Sequence, residues 1–342
     1  MISLHMSTIL PMIDFLQKMK TQEAKSNLLR ELFAHPDYDF EFRRYEIESK
    51  DKELLIDYFM HLNSVTEDTI PVLNSERNER KNMLKNKHKR WLYAYENLEY
   101  YMELYEKINS AITNEMLKKI YARVQKGLPD NTEIDDVRII STMSIGMSFG
   151  YVFEGAIHFD MMGFGNDCID TLPSLIAHET HHLEMWKYVS SFINSLTLEE
   201  RFIFNFSGEG LAIKFCNNAE GTISKAIDNT YPKNEGLDDF SIRYLNNHFE
   251  ETFRVFENTL SDIRSNKMSK DEVFKHIEEY WWNPYTEEQN RDEEPLLKQT
   301  RMYSFGNDLF GSIYDVYGKE TLFDCVRHPL KAVEYFKCIM GN

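Results

Sequence analysis

Histidines at 178 and 182 and a glutamate at 179 form the pattern H-E-x-x-H, and these residue types can bind a metal and move a proton. On an α-helix the i,i+4 spacing turns about 400° and advances about 6 Å, so both imidazoles leave one face. Two ring nitrogens so placed can reach one tetrahedral zinc ion. Glu179 projects beside them, where its carboxylate can take a proton from water activated by the metal instead of binding the metal itself. The chemistry implied is hydrolysis.

The neighbouring residues say how such a helix would lie. Leu175, His178, Glu179, His182, Leu183 and Trp186 fall on one stripe, which predicts a core-facing surface. Ala177, Thr180, His181, Glu184 and Lys187 fall opposite, which predicts a solvated face with His181 a bystander. Two histidines and a carboxylate buried without partners would cost several kcal/mol, a cost that a metal removes. The alternative is a core hydrogen-bond network of the three. Thr171 as a cap and Pro173 in the first turn place the metal helix over 172–191.

Zinc needs a third protein ligand. The extension H-E-x-x-H-x-x-G-x-x-H is absent, because Met185 stands at the glycine position and Tyr188 at the histidine position. The remaining common choice is a carboxylate from a following helix, and Ser207-Gly208-Glu209-Gly210-Leu211-Ala212 offers Glu209. Glycines on both sides of Glu209 permit close backbone approach, and the apolar run after it predicts an inward-packed helix over 208–217. An ordinary first-turn glutamate, stabilised by the helix dipole, is the other reading of Glu209.

The elements that would hold these residues form a simple succession. Residues 1–130 read as a helical N-terminal region: glycine is absent before Gly127, and Ile9, Met12, Ile13, Leu16 and Met19 recur at helical spacing. Met1 to Leu16 reads as the start of a helix, with longer helical segments at about 50–65 and 76–126. Gly127-Leu-Pro-Asp-Asn breaks the pattern, and 131–342 reads as the catalytic region. A small sheet is predicted over 137–161, as about three strands in hairpins or a meander. From Leu172 onward the chain is helical again, a C-terminal lobe with capping patterns at Thr197-x-x-Glu200 and Ser269-x-x-Glu272. The fold class is mainly α within α+β.

At these residues a resemblance enters. His178-Glu179-x-x-His182 followed by Gly208-Glu209-Gly210-Leu211-Ala212 resembles the gluzincin metallopeptidases, in which two histidines and a downstream glutamate hold zinc. More closely, it is similar to uncharacterised bacterial proteins described as zinc-dependent peptidases, which pair the motif with a Glu-Gly-Leu-Ala helix. The likeness covers about 137–217 well, and Tyr303-x-x-Gly306, Tyr317-Gly318 and Tyr335 more loosely. It implies a zincin-like fold in which an edge strand just before the metal helix pairs with an extended peptide; Ala156 to Asp160 is the candidate. It also implies a tyrosine or histidine from the C-terminal part that stabilises the oxyanion, for which Tyr303 is the choice. Thermolysin-like members carry an aspartate four residues after the glutamate ligand, where it orients a metal histidine. Here Ile213 stands there, so that partner must come from elsewhere or be missing.

Composition narrows the remaining options. Hydrophobic residues at 42% and aromatics at 13% supply a core and exclude a disordered chain. Lys+Arg 39 against Asp+Glu 56 leaves a charge of −17, which opposes nucleic acid and an anionic membrane as partners. No apolar run reaches the ~20 residues that span a bilayer, and the four cysteines form no C-x-x-C pair. A cytoplasmic location is the expectation. Arg77, Arg80, Lys81, Lys85, Lys87, Lys89 and Arg90 read as a solvated helix face, and His158 and Asp160 as a half-exposed strand rather than a second metal site. Trp281-Trp282-Asn283-Pro284-Tyr285 reads as packing between helices, and the acidic loop 287–294 as surface.

The reading that results is a zinc metallopeptidase with one Zn²⁺ per chain. His178, His182 and Glu209 would hold the ion, Glu179 would act as general base, and a peptide or protein would be the substrate. The alternative is a catalytically silent zinc-binding or helical scaffold protein. Oligomeric state is not readable.

Overall fold

The computed structural model describes residues 2–73, 83–130, 132–165, 168–283 and 297–341. Arg77, Arg80, Lys81, Pro284, Tyr285 and the acidic loop lie outside them. The chain groups into two compact units, Met1–Met116 with Asp135–Ile169, and Leu117–Ile134 with Asp170–Asn342. Helices dominate, and the one sheet has four strands, so the α+β class expected from the sequence holds.

In the first unit, β1 (Ile2–His5) leads into α1 (Ile9–Lys20), α2 (Ser26–Phe33), α3 (Pro36–Arg44), α4 (Ser49–Met60), α5 (Met83–Glu96) and α6 (Leu98–Ala111). In α1 the periodic Ile9, Met12, Ile13 and Leu16 are buried, as their spacing predicts. The N-terminus differs from the expectation of a helix start: Ile2–His5 is a strand, paired in parallel with β2 (Val137–Thr142). The expected helix over 76–126 is divided in its described part, with breaks between Glu96 and Leu98 and between Ala111 and Asn114.

The sheet runs in the order β1-β2-β4-β3, with β3 at Gly150–Phe153 and β4 at Ala156–Asp160. β3 and β4 form the expected hairpin, closed by Glu154 and Gly155, both at positive φ (44° and 72°). Two successive left-handed residues give a turn whose twist suits flanking strands. β4, however, pairs in parallel with β2 on its other side. It is a central strand, buried at every position, neither the edge strand that the resemblance implied nor the half-exposed strand that its alternating polar residues suggested.

In the second unit, α7 (Asn114–Lys126, from Leu117 on) precedes α8 (Cys168–Val189, from Asp170 on) and α9 (Leu198–Cys216). A long irregular connection follows, then α10 (Asp239–Asn247), α11 (Phe249–Arg264), α12 (Lys270–His276), α13 (Arg301–Gly306), α14 (Ser312–Arg327) and α15 (Pro329–Met340). Both expected capping boxes are present. Thr197 Oγ1 accepts from Glu200 N while the Glu200 carboxylate accepts from Thr197 N, and Ser269 and Glu272 do the same. Phe202 and Phe206 of α9 pack with Phe256, Trp281 and Phe305 in an aromatic core, so Trp281 has the packing role expected of it. No helix among the described residues is long and apolar enough to cross a membrane.

Candidate metal centre

α8 carries the H-E-x-x-H residues, but it begins at Cys168, so Thr171 and Pro173 lie inside the helix instead of capping it. Its burial also departs from a two-faced helix. Ala177, Thr180, His181 and Glu184, expected in solvent, are buried, whereas Trp186 on the expected core stripe is 59% exposed. The helix is packed on the side read as outer, and its His178–Glu179–His182 face is the more open one. A helix surrounded by protein on most sides loses the polar-out pattern on which an amphipathic reading depends.

His181 is therefore not a surface bystander. Its Nε2 lies 2.8 Å from the Gly127 carbonyl, to which it donates, and burial pushes its pKa down to about 3. A side chain at Gly127 would run into that ring, at 2.8 Å from Cδ2. The ring is neutral and tied to the end of α7.

α9 supplies Glu209 from its middle, because the helix starts ten residues before the expected 208. The short connection after α8 and the capping box at Thr197 turn the chain back. The three expected ligands converge. His178 Nε2 is 3.0 Å from His182 Nε2 and 3.1 Å from Glu209 Oε2, and His182 Nε2 is 3.3 Å from the same oxygen. Among the described residues this is the one group of three or more His, Cys, Asp or Glu side chains able to hold a metal ion. Zinc bonds of 2.0–2.1 Å at tetrahedral angles separate neighbouring donors by about 3.4 Å, close to the three distances seen. The donor set of two imidazoles and one carboxylate is also one that zinc takes in hydrolytic sites. The residues fit the ion.

Electrostatics agree. Burial works against the charge of Glu209, yet the two histidines hold its carboxyl far below the ordinary carboxylate range. Burial also opposes a charge on His178, but the hydrogen bond and charge of Glu209 raise its pKa to about 9. Protons and a divalent cation compete for these nitrogens. Burial raises the carboxyl of Glu179, against the opposing pull of His178 and His182.

Tyr303 reaches the same place from α13. Gly210, next to Glu209, and Gly306 touch where α9 crosses the end of α13: a Cβ on Gly210 would lie 2.1 Å from the Gly306 carbonyl carbon. One turn before Gly306, the Tyr303 ring sits 6.1 Å from that of His178. Its hydroxyl meets Glu209, and burial with the charges of Glu209 and Glu179 keeps the phenol protonated far above its usual pKa.

Three residues that the sequence did not single out complete the surroundings. Asn217 Oδ1 lies 2.8 Å from His178 Nδ1, and the Asn217 amide nitrogen donates to the Glu235 carbonyl at 2.8 Å. Arg123 holds the Glu235 carboxylate. Only the position of Asn217 just past α9 hinted at a special role, and that of a helix cap.

The fold is that of a mainly helical α+β protein, and its half-open cluster of two histidines and a glutamate could hold a metal ion. The particular family follows: residues 29–340 match the family described as "Putative zinc dependent peptidase (DUF5700)", and the chain belongs to it. No curated protein and no solved structure matches the chain significantly.

Proposed function

We propose that this protein is a gluzincin-type zinc metallopeptidase, with one ion per chain held by His178, His182 and Glu209. The convergence of those three donor atoms at 3.0–3.3 Å, on the more open face of a buried helix, carries the reading. A zinc ion bound there supplies Lewis acidity, which lowers the pKa of water and polarises a carbonyl.

The chain's own groups do the rest. Glu179, adjacent to His178, takes a proton from the water that attacks the scissile carbonyl and returns it to the leaving amine. Its raised pKa suits both halves of that cycle. Tyr303, kept protonated, donates a hydrogen bond to the oxyanion that develops on the carbonyl oxygen. We assign this chemistry to residues 131–342, a peptide or protein as substrate, and a cytoplasmic setting, in keeping with Cys216, Cys325 and Cys338 as free thiols.

Elemental analysis of untagged protein tests the metal, with about one zinc per chain expected and loss after dialysis in Glu209→Ala. In a peptide-library assay Glu179→Gln keeps the zinc, and hydrolysis falls by about 10³-fold. Parental turnover in Glu179→Gln would remove Glu179 from the mechanism. Zinc without any Glu179-dependent turnover would leave a binding protein.

A further inference from the structure

We infer that Asn217 is the positioning residue of His178, and that a buried strut from Arg123 through Glu235 aims it and so sets the affinity of the site for zinc. The inference rests on the zinc-site reading above and names the part of the chain that keeps one ligand in register.

The strut is built from the irregular stretch between α9 and α10. That stretch is tied down along its length. Asn218 Oδ1 accepts from Ile227 N and Asp228 N at 3.1 Å each, and Asp308 accepts from Ile223 N at 2.7 Å and Ser224 N at 3.0 Å. Its far end returns to the metal helix. Gly236, at φ +75°, packs so closely that a Cβ would lie 2.7 Å from Ser174 Oγ, one turn before His178. There Glu235 N donates to the Asn217 carbonyl at 2.9 Å while Asn217 Nδ2 donates to the Glu235 carbonyl.

One guanidinium grips both sides of this exchange. Buried Arg123 donates to the Cys216 carbonyl at 2.9 Å and to the Glu235 carboxylate, and it lies 3.8 Å over the Tyr231 ring. The residue before Asn217 and the residue paired with its amide are thus held by the same side chain. With Nδ2 committed to a carbonyl, the Asn217 oxygen must face His178, so His178 Nδ1 carries the proton and donates. Nε2, which faces Glu209 and His182, is then the nitrogen that would give up its proton to a metal bound there. Among the described residues, His182 Nδ1 has no such partner, so the strut acts on one ligand only.

Asn217 also answers the vacancy at Ile213. It lies four residues beyond Ile213, just past the end of α9, and its amide serves two partners at once, an acceptor for His178 Nδ1 and a donor to the Glu235 carbonyl.

Zinc dissociation constants, measured by competition with a chromophoric chelator, test this without an assay of activity. Asn217→Leu is expected to bind zinc 10–100-fold more weakly. Asn217→Asp, which keeps an acceptor for Nδ1, is expected to lie within about fivefold of the parent, and Arg123→Lys about three- to tenfold weaker. Thermal melting of the metal-free forms checks that each variant folds; should Asn217→Leu not fold, the Arg123→Lys and Asn217→Asp constants decide. Parental affinity in Asn217→Leu, or in Arg123→Lys if that variant alone folds, would overturn the inference. Equal losses in Asn217→Asp and Asn217→Leu would also overturn it, leaving Asn217 a packing residue. A parent that binds no zinc would bring down the zinc-site reading itself, an outcome distinct from tight parental binding with indifferent variants.

Discussion

Around Glu41 and Asp160 in the first unit, each carboxylate meets a set of donors. Glu41 accepts from Thr142 Oγ1 at 2.9 Å, from Gly146 N at 2.8 Å and from Ser144 Oγ; Asp160 accepts from Lys87 Nζ at 2.7 Å and from the backbone of Ser144 and Met162. His158 joins through Thr142, and all of these side chains are buried. Around His178 in the second unit the balance is reversed, with two imidazole nitrogens and a carboxylate facing one another at 3.0–3.3 Å. Both regions combine histidine with carboxylate on regular elements. What separates them is what meets the carboxylates: hydroxyl, amide and ammonium donors in the first, where among the described residues only His158 Nδ1 is left without a partner, and two imidazole nitrogens that could share a cation in the second. Residue type alone does not separate the two regions; the partners of their carboxylates do.

The largest test of that contrast is Lys87→Met. It leaves buried Asp160 without its nearer cation, with only the more exposed Arg90 at 3.7 Å, and is expected to cost about 3 kcal/mol of stability in denaturant titrations. Zinc per chain should not change; a loss of zinc would show that the closed network also serves the metal. Next comes Tyr303→Phe, expected to lower kcat about 10–100-fold while stability and zinc content hold. Unaltered kcat would return Tyr303 to the core residues.

The smallest change to be read is in the pH slope between 5 and 6. His158 and His181 have folded pKa values of about 3, below the ordinary 6.5, so each takes up a proton only on unfolding. Their contribution is fully present above pH 6.5 and is lost as pH falls toward 3, each by up to about 1.4 kcal/mol per pH unit. In chelator-treated protein, His158→Gln should lower the slope of stability between pH 5 and 6 by up to about 1.4 kcal/mol per pH unit. An unchanged slope would mean that burial does not hold His158 neutral.

Several of these features were legible beforehand and several were not. The proposed ligands His178 and His182 follow from one turn of helix, and Glu209 from glycines flanking a carboxylate ahead of an apolar run. The capping boxes at Thr197 and Ser269 are likewise local. His181 was misread because amphipathic spacing assumes one wet face, and α8 is packed on the side that should have been wet. Lys87 was misread in the same way: six basic residues accompany it in sequence, yet it alone among the described ones is buried, paired with Asp160 seventy-three residues later. The strand Ile2–His5 was missed because its partner begins at Val137, and no local pattern announces a pairing that remote.

The sequence by itself determined the chemistry on offer, because helical geometry converts a spacing of four residues directly into two imidazoles on one face. Only the tertiary structure decided which polar residues were already satisfied, that β4 is central, and that Asn217 faces His178. Those outcomes depend on counts of donors and acceptors drawn from segments far apart in the chain. A hydrogen-bond balance of that kind exists only after the segments have met.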